Sequence, residues 1–232
     1  TGPERSGRAG AGPVFWVWSG LAGARRGREP ESMKLDAPGL ETGLVRLEPF
    51  EARHRAGLLA SGAQEDLWHL MPTIPAGNTL PAYFDHTSRL ASLGAGQGYA
   101  VLCQDTGAFI GFAAFVTPNR LHRRIRVGYT WLEKARRGGP SALHVQYLLI
   151  RRATEWRARR VEWMMSVRSE RGAAMLDRLG IAREGILRQY SRMADGSWED
   201  VIVFSLVGDE LRAMLARLET ELGESLHTAP GP

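Results

Sequence analysis

The chain has 232 residues, 44% of them apolar and 24% charged, the balance of a soluble globular protein with length for one full core. Its single cysteine, Cys103, excludes an internal disulfide, and six histidines without ligand spacing offer no readable metal site. The net charge of +5 is dispersed: residues 1–32 hold five Arg against three Glu, and no stretch interleaves aromatic with basic residues as an RNA-binding surface would.

Residues 1–32 are rich in Gly, Arg and Pro and lack helical or strand periodicity. Their apolar cluster, Val14 to Trp18, is too short to span a bilayer. As the core of a signal peptide behind Arg5 and Arg8 it is broken by Gly and Pro. Met33-Lys34 reads as a start, so residues 1–32 are expected to be a non-core extension, 33–211 the folded domain and 212–232 a terminal helix and tail.

Regular signals begin at Leu44-Val45-Arg46-Leu47, a first strand, followed by a helix over 51–61 and another over 80–93. Gly94, Gly96 and Gly98 predict a turn, and 99–103 and 108–116 a strand pair. Ile125, Val127, Tyr129 and Trp131 alternate along a further strand. Residues 143–156 are apolar almost all round at their centre, which predicts a buried helix. Val161, Trp163, Met165 and Val167 line one face of the next strand, and Ser169 can cap a helix that stops at Gly180. Two closing strands, 186–193 and 201–207, flank a turn at Asp195-Gly196, and 210–222 is an amphipathic helix. Strands mixed with single helices indicate an α/β (α+β) sheet domain.

The stretch from Gly128 to Ala142 is a strand, the turn Arg136-Arg137-Gly138-Gly139, and a helix opened by Pro140. Glycines let a backbone close around a ligand, and the N–H groups of a helix start attract phosphate. Arg136 and Arg137 add positive charge. Two glycines before a helix also serve as a plain tight turn, and an exposed Arg pair is commonly only solvated.

These residues belong to an ordered series. It comprises Val127-Gly128-Tyr129-Thr130-Trp131-Leu132, Gly138-Gly139-Pro140, Tyr147 to Ala153, and Val161-Glu162-Trp163. Val167 to Arg171, Leu179-Gly180, Arg183 to Arg188, Asp195-Gly196, Asp200 and Val203-Phe204-Ser205 follow. Over about residues 41 to 211 the series resembles the GNAT superfamily of N-acetyltransferases, in the branch like ribosomal-protein N-terminal acetyltransferases.

The resemblance implies a twisted mixed sheet of about seven strands, splayed between the fourth and fifth and flanked by helices. It also implies a cytoplasmic monomer or homodimer that uses acetyl-CoA and no metal. Its acceptor would be an amine, at a protein N-terminus or on a small molecule, with no membrane or nucleic-acid partner. The pantetheine arm would pair with the strand edge at Trp131 and Leu132. The pyrophosphate would rest on Arg136, Arg137, Gly138, Gly139, Pro140, Ser141 and Ala142, with Ser169 beside the cofactor. Against the family pattern, Ala135 replaces a Gln or Arg, Arg126 an acidic residue that often accepts the proton, Ser169 an Asn, and Leu176 a Tyr. Glu133, Tyr129 and Tyr190 are the geometric candidates for acid and base, each with an ordinary structural role open to it. The departures leave a second reading, a GNAT-fold acetyl-CoA-binding protein with weak or lost catalysis. The acceptor is set by loops such as 67–80, which carry no transferable code, and Trp68 and Trp131 are the tryptophans expected near a pocket.

Overall fold

A computed structural model describes residues 34–61, 71–74 and 79–227. The extension 1–32, Trp68 and most of the loop 67–80 lie outside the described residues. Seven strands form one sheet in the order β1-β2-β3-β4-β5-β7-β6. They are β1 (Val45–Pro49), β2 (Gly96–Cys103), β3 (Phe109–Asn119), β4 (Arg124–Leu132), β5 (Arg160–Ser166), β6 (Ala182–Arg192) and β7 (Trp198–Val207). All neighbours are antiparallel except β4 and β5. This is the mixed, seven-stranded, helix-flanked sheet that the sequence led us to expect.

Helices α1 (Arg55–Ser61) and α2 (Leu80–Ser88) precede β2. Thr79 caps α2, its side chain accepting from the Ala82 amide at 3.3 Å, and Pro81 occupies the first turn. Helix α3 (Pro140–Glu155) crosses the sheet, α4 (Glu170–Arg178) follows β5, and α5 (Glu210–Leu222) closes the chain. Leu148, Leu149 and Ile150 of α3 are fully buried, a burial that stabilises by about 1.5–3 kcal/mol per side chain. Leu211, Met214, Leu218 and Leu222 of α5 pack into this same core. A second core gathers Phe50, Leu58, Phe84, Phe112 and Trp131 around α1 and α2.

Three sequence expectations change. Gly96 and Gly98 are strand residues of β2, not turn residues. A Cβ at Gly98 would meet the Phe112 ring at 2.9 Å, so the glycine serves a close approach between strands. On β4, the register to β3 slips between Phe112↔Trp131 and Ala114↔Gly128, a bulge in which Tyr129 adopts a φ of 51°. Ile125 and Val127 therefore face the main core, while Tyr129 and Trp131 turn to the second. A strict alternation would have put all four on one face. Finally, Ser169 stands at the N-cap of α4 without a side-chain capping bond. Ser166 instead accepts from the Arg168 amide at 3.0 Å.

Arg152, on α3, is 1% exposed. Its guanidinium donates to the carbonyls of Lys34 (3.2 Å), Ala37 (2.7 Å) and Pro38 (2.9 Å), tying the segment before β1 to the helix.

Candidate active site

The ladder between β4 and β5 runs from Arg124↔Arg160 to Val127↔Trp163 and stops. Beyond it β5 continues on β7 as far as Ser166, whereas β4 continues only on β3. The two strands part into a wedge. The Trp131 carbonyl lies against Gly111 and the Glu133 amide donates to the Ile110 carbonyl at 2.9 Å. By strand alternation the polar backbone of Leu132 then faces the wedge. Its carbonyl accepts from Arg137 Nε at 2.8 Å.

A 3-10 turn over Lys134–Arg136 leads to Gly138, with a φ of 71°, and to Gly139, the N-cap of α3. No side chain caps α3; Pro140 carries no N–H and the Ala142 amide donates to the Gly139 carbonyl at 3.1 Å, so the amides of Gly138, Gly139 and Ser141 are the N–H groups offered to an anion. A Cβ at Gly138 would meet nothing within 4 Å, so the space above the turn is open. Ser141 and Ala142 are buried directly behind it. The arginine pair divides: Arg137 turns to the wedge, while Arg136 pairs with Glu133 at 3.5 Å and lies 3.9 Å from Cys103 Sγ. The residues from Leu132 to Ala142 thus form one strand–turn–helix unit, and Ser169 begins the helix after β5.

The three acid–base candidates lie in different surroundings. Tyr129 packs edge-on against Tyr83 (5.4 Å) and His86 (5.9 Å). Burial pushes its hydroxyl pKa up, partly opposed by the Arg126 charge. Glu133 is held by Arg136. Tyr190, 50% exposed, sits at a bulge of β6 where Gln189 has a φ of 45° and its amide donates to Asp200 Oδ1 at 2.8 Å.

Tyr190 also lines a cavity of about 860 Å³ on the sheet face opposite Val161 and Trp163. Arg124 and Arg126 of β4 and Glu162 and Met164 of β5 contribute to it. A chain of charges crosses its floor. Arg126 Nη2 lies 3.4 Å from Glu162 Oε2, and Arg160 Nε donates to Glu162 Oε1 at 2.6 Å. Arg160 also forks onto Glu184 at 2.6 and 2.5 Å, and Ser205 donates to the same carboxylate at 2.7 Å. Arg160 first, then Ser205, hold the Glu184 pKa down to about 2. Sequence reasoning did not single out this chain. Apart from Arg126, marked above as a departure from the family pattern, its signal was the spacing of Arg160, Glu162 and Met164, which alternate with Val161 and Trp163.

Among the described residues there is no group of three or more His, Cys, Asp or Glu suited to a metal ion. No described helix is long and apolar enough to cross a membrane.

No family model and no curated protein matches the chain. Solved structures do. One assigned as an acetyltransferase is 32% identical over 78% of this chain and 93% of its own, with a TM-score of 0.67. Another, from T. thermophilus and likewise assigned as an acetyltransferase, is 31% identical over 77% and 94%, with a TM-score of 0.68. Mycobacterium smegmatis RimJ, in complex with CoA-disulfide, shares the fold at 22% identity over 78% and 90%, with a TM-score of 0.64.

Proposed function

Because this chain belongs to the GNAT family of N-acetyltransferases, we propose that it moves acetyl from acetyl-CoA to a primary amine by direct attack. The favoured acceptor is an α-amine, at a protein N-terminus, or a small-molecule amine of similarly low pKa. One observation carries this reading: β4 and β5 part beside the uncapped, glycine-bounded start of α3.

Acetyl-CoA supplies the activated thioester carbonyl. Leu132 pairs with the pantetheine arm through its wedge-facing backbone, its carbonyl having a second lone pair beside the bond to Arg137. Arg137 and the amides of Gly138, Gly139 and Ser141 hold the pyrophosphate, at the turn closed by Pro140 and Ala142. Trp131 fixes the edge by burying its ring in the second core. Ser169, at the start of α4, flanks the cofactor on the β5 side. Tyr129, Glu133 and Tyr190 are the side chains proposed to move protons, through water where they do not reach the amine directly.

Arg126 stays charged at any workable pH and cannot take the amine's proton. The enzyme therefore favours acceptors that deprotonate on their own. A reference α-amine has a pKa of about 8, a lysine about 10.4. The test is a pH–rate profile on a peptide N-terminus and on a matched lysine peptide, with wild type and Arg126→Glu. Wild type should act faster on the α-amine near neutral pH, and Arg126→Glu should narrow the gap. A preference for lysine, or profiles unchanged by the substitution, overturns this reading. The second reading, acetyl-CoA binding with weak or lost catalysis, draws on Arg126 and on the Arg136–Glu133 pair. Cofactor binding without turnover of any amine would favour it.

A further inference from the structure

We propose that the end of the sheet away from the cofactor turn is a docking surface for an acidic protein segment that carries apolar side chains among its carboxylates. This surface is independent of the acetyl-transfer reading. It lies at the start of β4, whereas the turn at Gly138 follows the end of that strand, about 25 Å further along.

Two turns remote in sequence build it. Arg120, Leu121, Arg123 and Arg124 lie where β3 turns into β4, and Arg157 and Arg159 lie between α3 and β5. The turns are held together directly. The Arg123 carbonyl accepts from the Arg159 amide at 2.6 Å, and Arg123 Nε donates to the Arg157 carbonyl at 2.9 Å. Arg120 lies over the Trp156 ring, 5.5 Å from its centroid. Arg123 and Arg157 hold left-handed φ values of 50° and 67°, which persist only where the surroundings enforce them.

The charge gathered here is not answered within the molecule. The neighbouring acids are engaged elsewhere: Glu155 with Arg151 and Arg152, Glu162 and Glu184 with Arg160, and Asp209 with Arg212. Glu210 accepts from the Val207 amide. Among the described residues no carboxylate forms an ion pair with Arg123, Arg124, Arg157 or Arg159. Like charges on adjoining turns repel, and a partner's carboxylates relieve that repulsion while matching the guanidinium fork.

Two leucines at the same end decide the class of partner. Leu121 is 86% exposed. Leu93, 69% exposed, belongs to the adjoining turn, whose Ala95 carbonyl accepts from the Thr117 amide at 2.9 Å. Apolar contacts combined with arginine are the make-up of a protein interface. A nucleic-acid backbone gains nothing from the leucines, and Trp156, the ring that could stack on a base, is 4% exposed. Two leucines also bury far less than the lipid chain or apolar helix face that holds a protein on a bilayer.

The experiment is fluorescence anisotropy with a labelled, N-blocked peptide that alternates glutamate and leucine. Its comparators are the same peptide with serine for leucine, an RNA duplex, and phosphatidylcholine vesicles containing phosphatidylserine. Wild type should bind the glutamate–leucine peptide without acetyl-CoA, and the serine peptide about tenfold more weakly. Arg159→Glu and Leu121→Ser should each weaken the first peptide by about tenfold. Arg192→Glu, the same change of charge where β6 runs into the Asp195-Gly196 turn, should leave it unchanged. Arg159→Glu should melt no lower than wild type, since relief of repulsion and not lost packing is the effect of the substitution. No binding by wild type, tighter binding of RNA or vesicles, or unchanged affinity in Arg159→Glu or Leu121→Ser would overturn the proposal. So would an equal loss in Arg192→Glu or a lower melting temperature in Arg159→Glu.

Discussion

Replacing Gly138 by Val tests the cofactor cradle where geometry makes the consequence calculable. Gly138 has a φ of 71°, and an added Cβ would meet no protein atom within 4 Å. The cost is therefore conformational. A residue with a Cβ loses about 1–2 kcal/mol in the left-handed region, and a β-branched one sits there least easily. If the turn relaxes to escape that strain, its amides leave the mouth of α3, and binding must restore the strained shape. At about 1.4 kcal/mol per decade, strain alone weakens acetyl-CoA by about 5- to 30-fold. The side chain also projects into the open space proposed for the pyrophosphate. Gly107, in the turn between β2 and β3, supplies the control, with a φ of 67° and likewise nothing within 4 Å. Val at Gly107 should lower the melting temperature comparably and leave acetyl-CoA affinity alone. Calorimetry on both variants decides. Wild-type affinity in Gly138→Val, or an equal loss in Gly107→Val, would refute the placement of the cofactor.

Two further predictions concern the scaffold. Arg152→Met strands the carbonyls of Lys34, Ala37 and Pro38 and should cost about 3 kcal/mol, read as a lower urea midpoint; an unchanged midpoint would show the segment before β1 to be held by other contacts. His144 is buried between Thr42 Oγ1 (2.8 Å) and Ser225 Oγ (3.3 Å), and burial lowers its pKa from the ordinary 6.5. Below pH 6.5 the unfolded chain then binds the proton first, so stability falls as pH drops from that value. Urea midpoints between neutral and mildly acidic pH should fall more in wild type than in His144→Asn, and parallel curves would count against this assignment.

Much of this protein could be read locally. The buried helix α3 was legible because the centre of 143–156, Tyr147-Leu148-Leu149-Ile150, is an unbroken apolar run, and β6 and β7 because they flank Asp195-Gly196. The turn and helix start from Arg136 to Ala142 were legible because glycine, proline and arginine each leave a local mark. These properties depend on residues within one or two turns of each other, which is what a linear pattern records.

Tertiary structure decided the rest. One extra residue at Tyr129 reverses the face of everything after it on β4, and nothing local distinguishes that bulge from continued alternation. Gly98 looks like a turn residue until Phe112 of the neighbouring strand is packed against it. Arg152 resembles its solvated neighbours until the segment 34–38 folds over it. Arg126 and Glu162, 36 positions apart, become partners only through the parallel ladder. The sequence by itself determined which segments become strands and helices and which family the whole resembles. Register, strand phase and the pairing of distant charges waited for the sheet to close, because each is a relation between segments that no single segment contains.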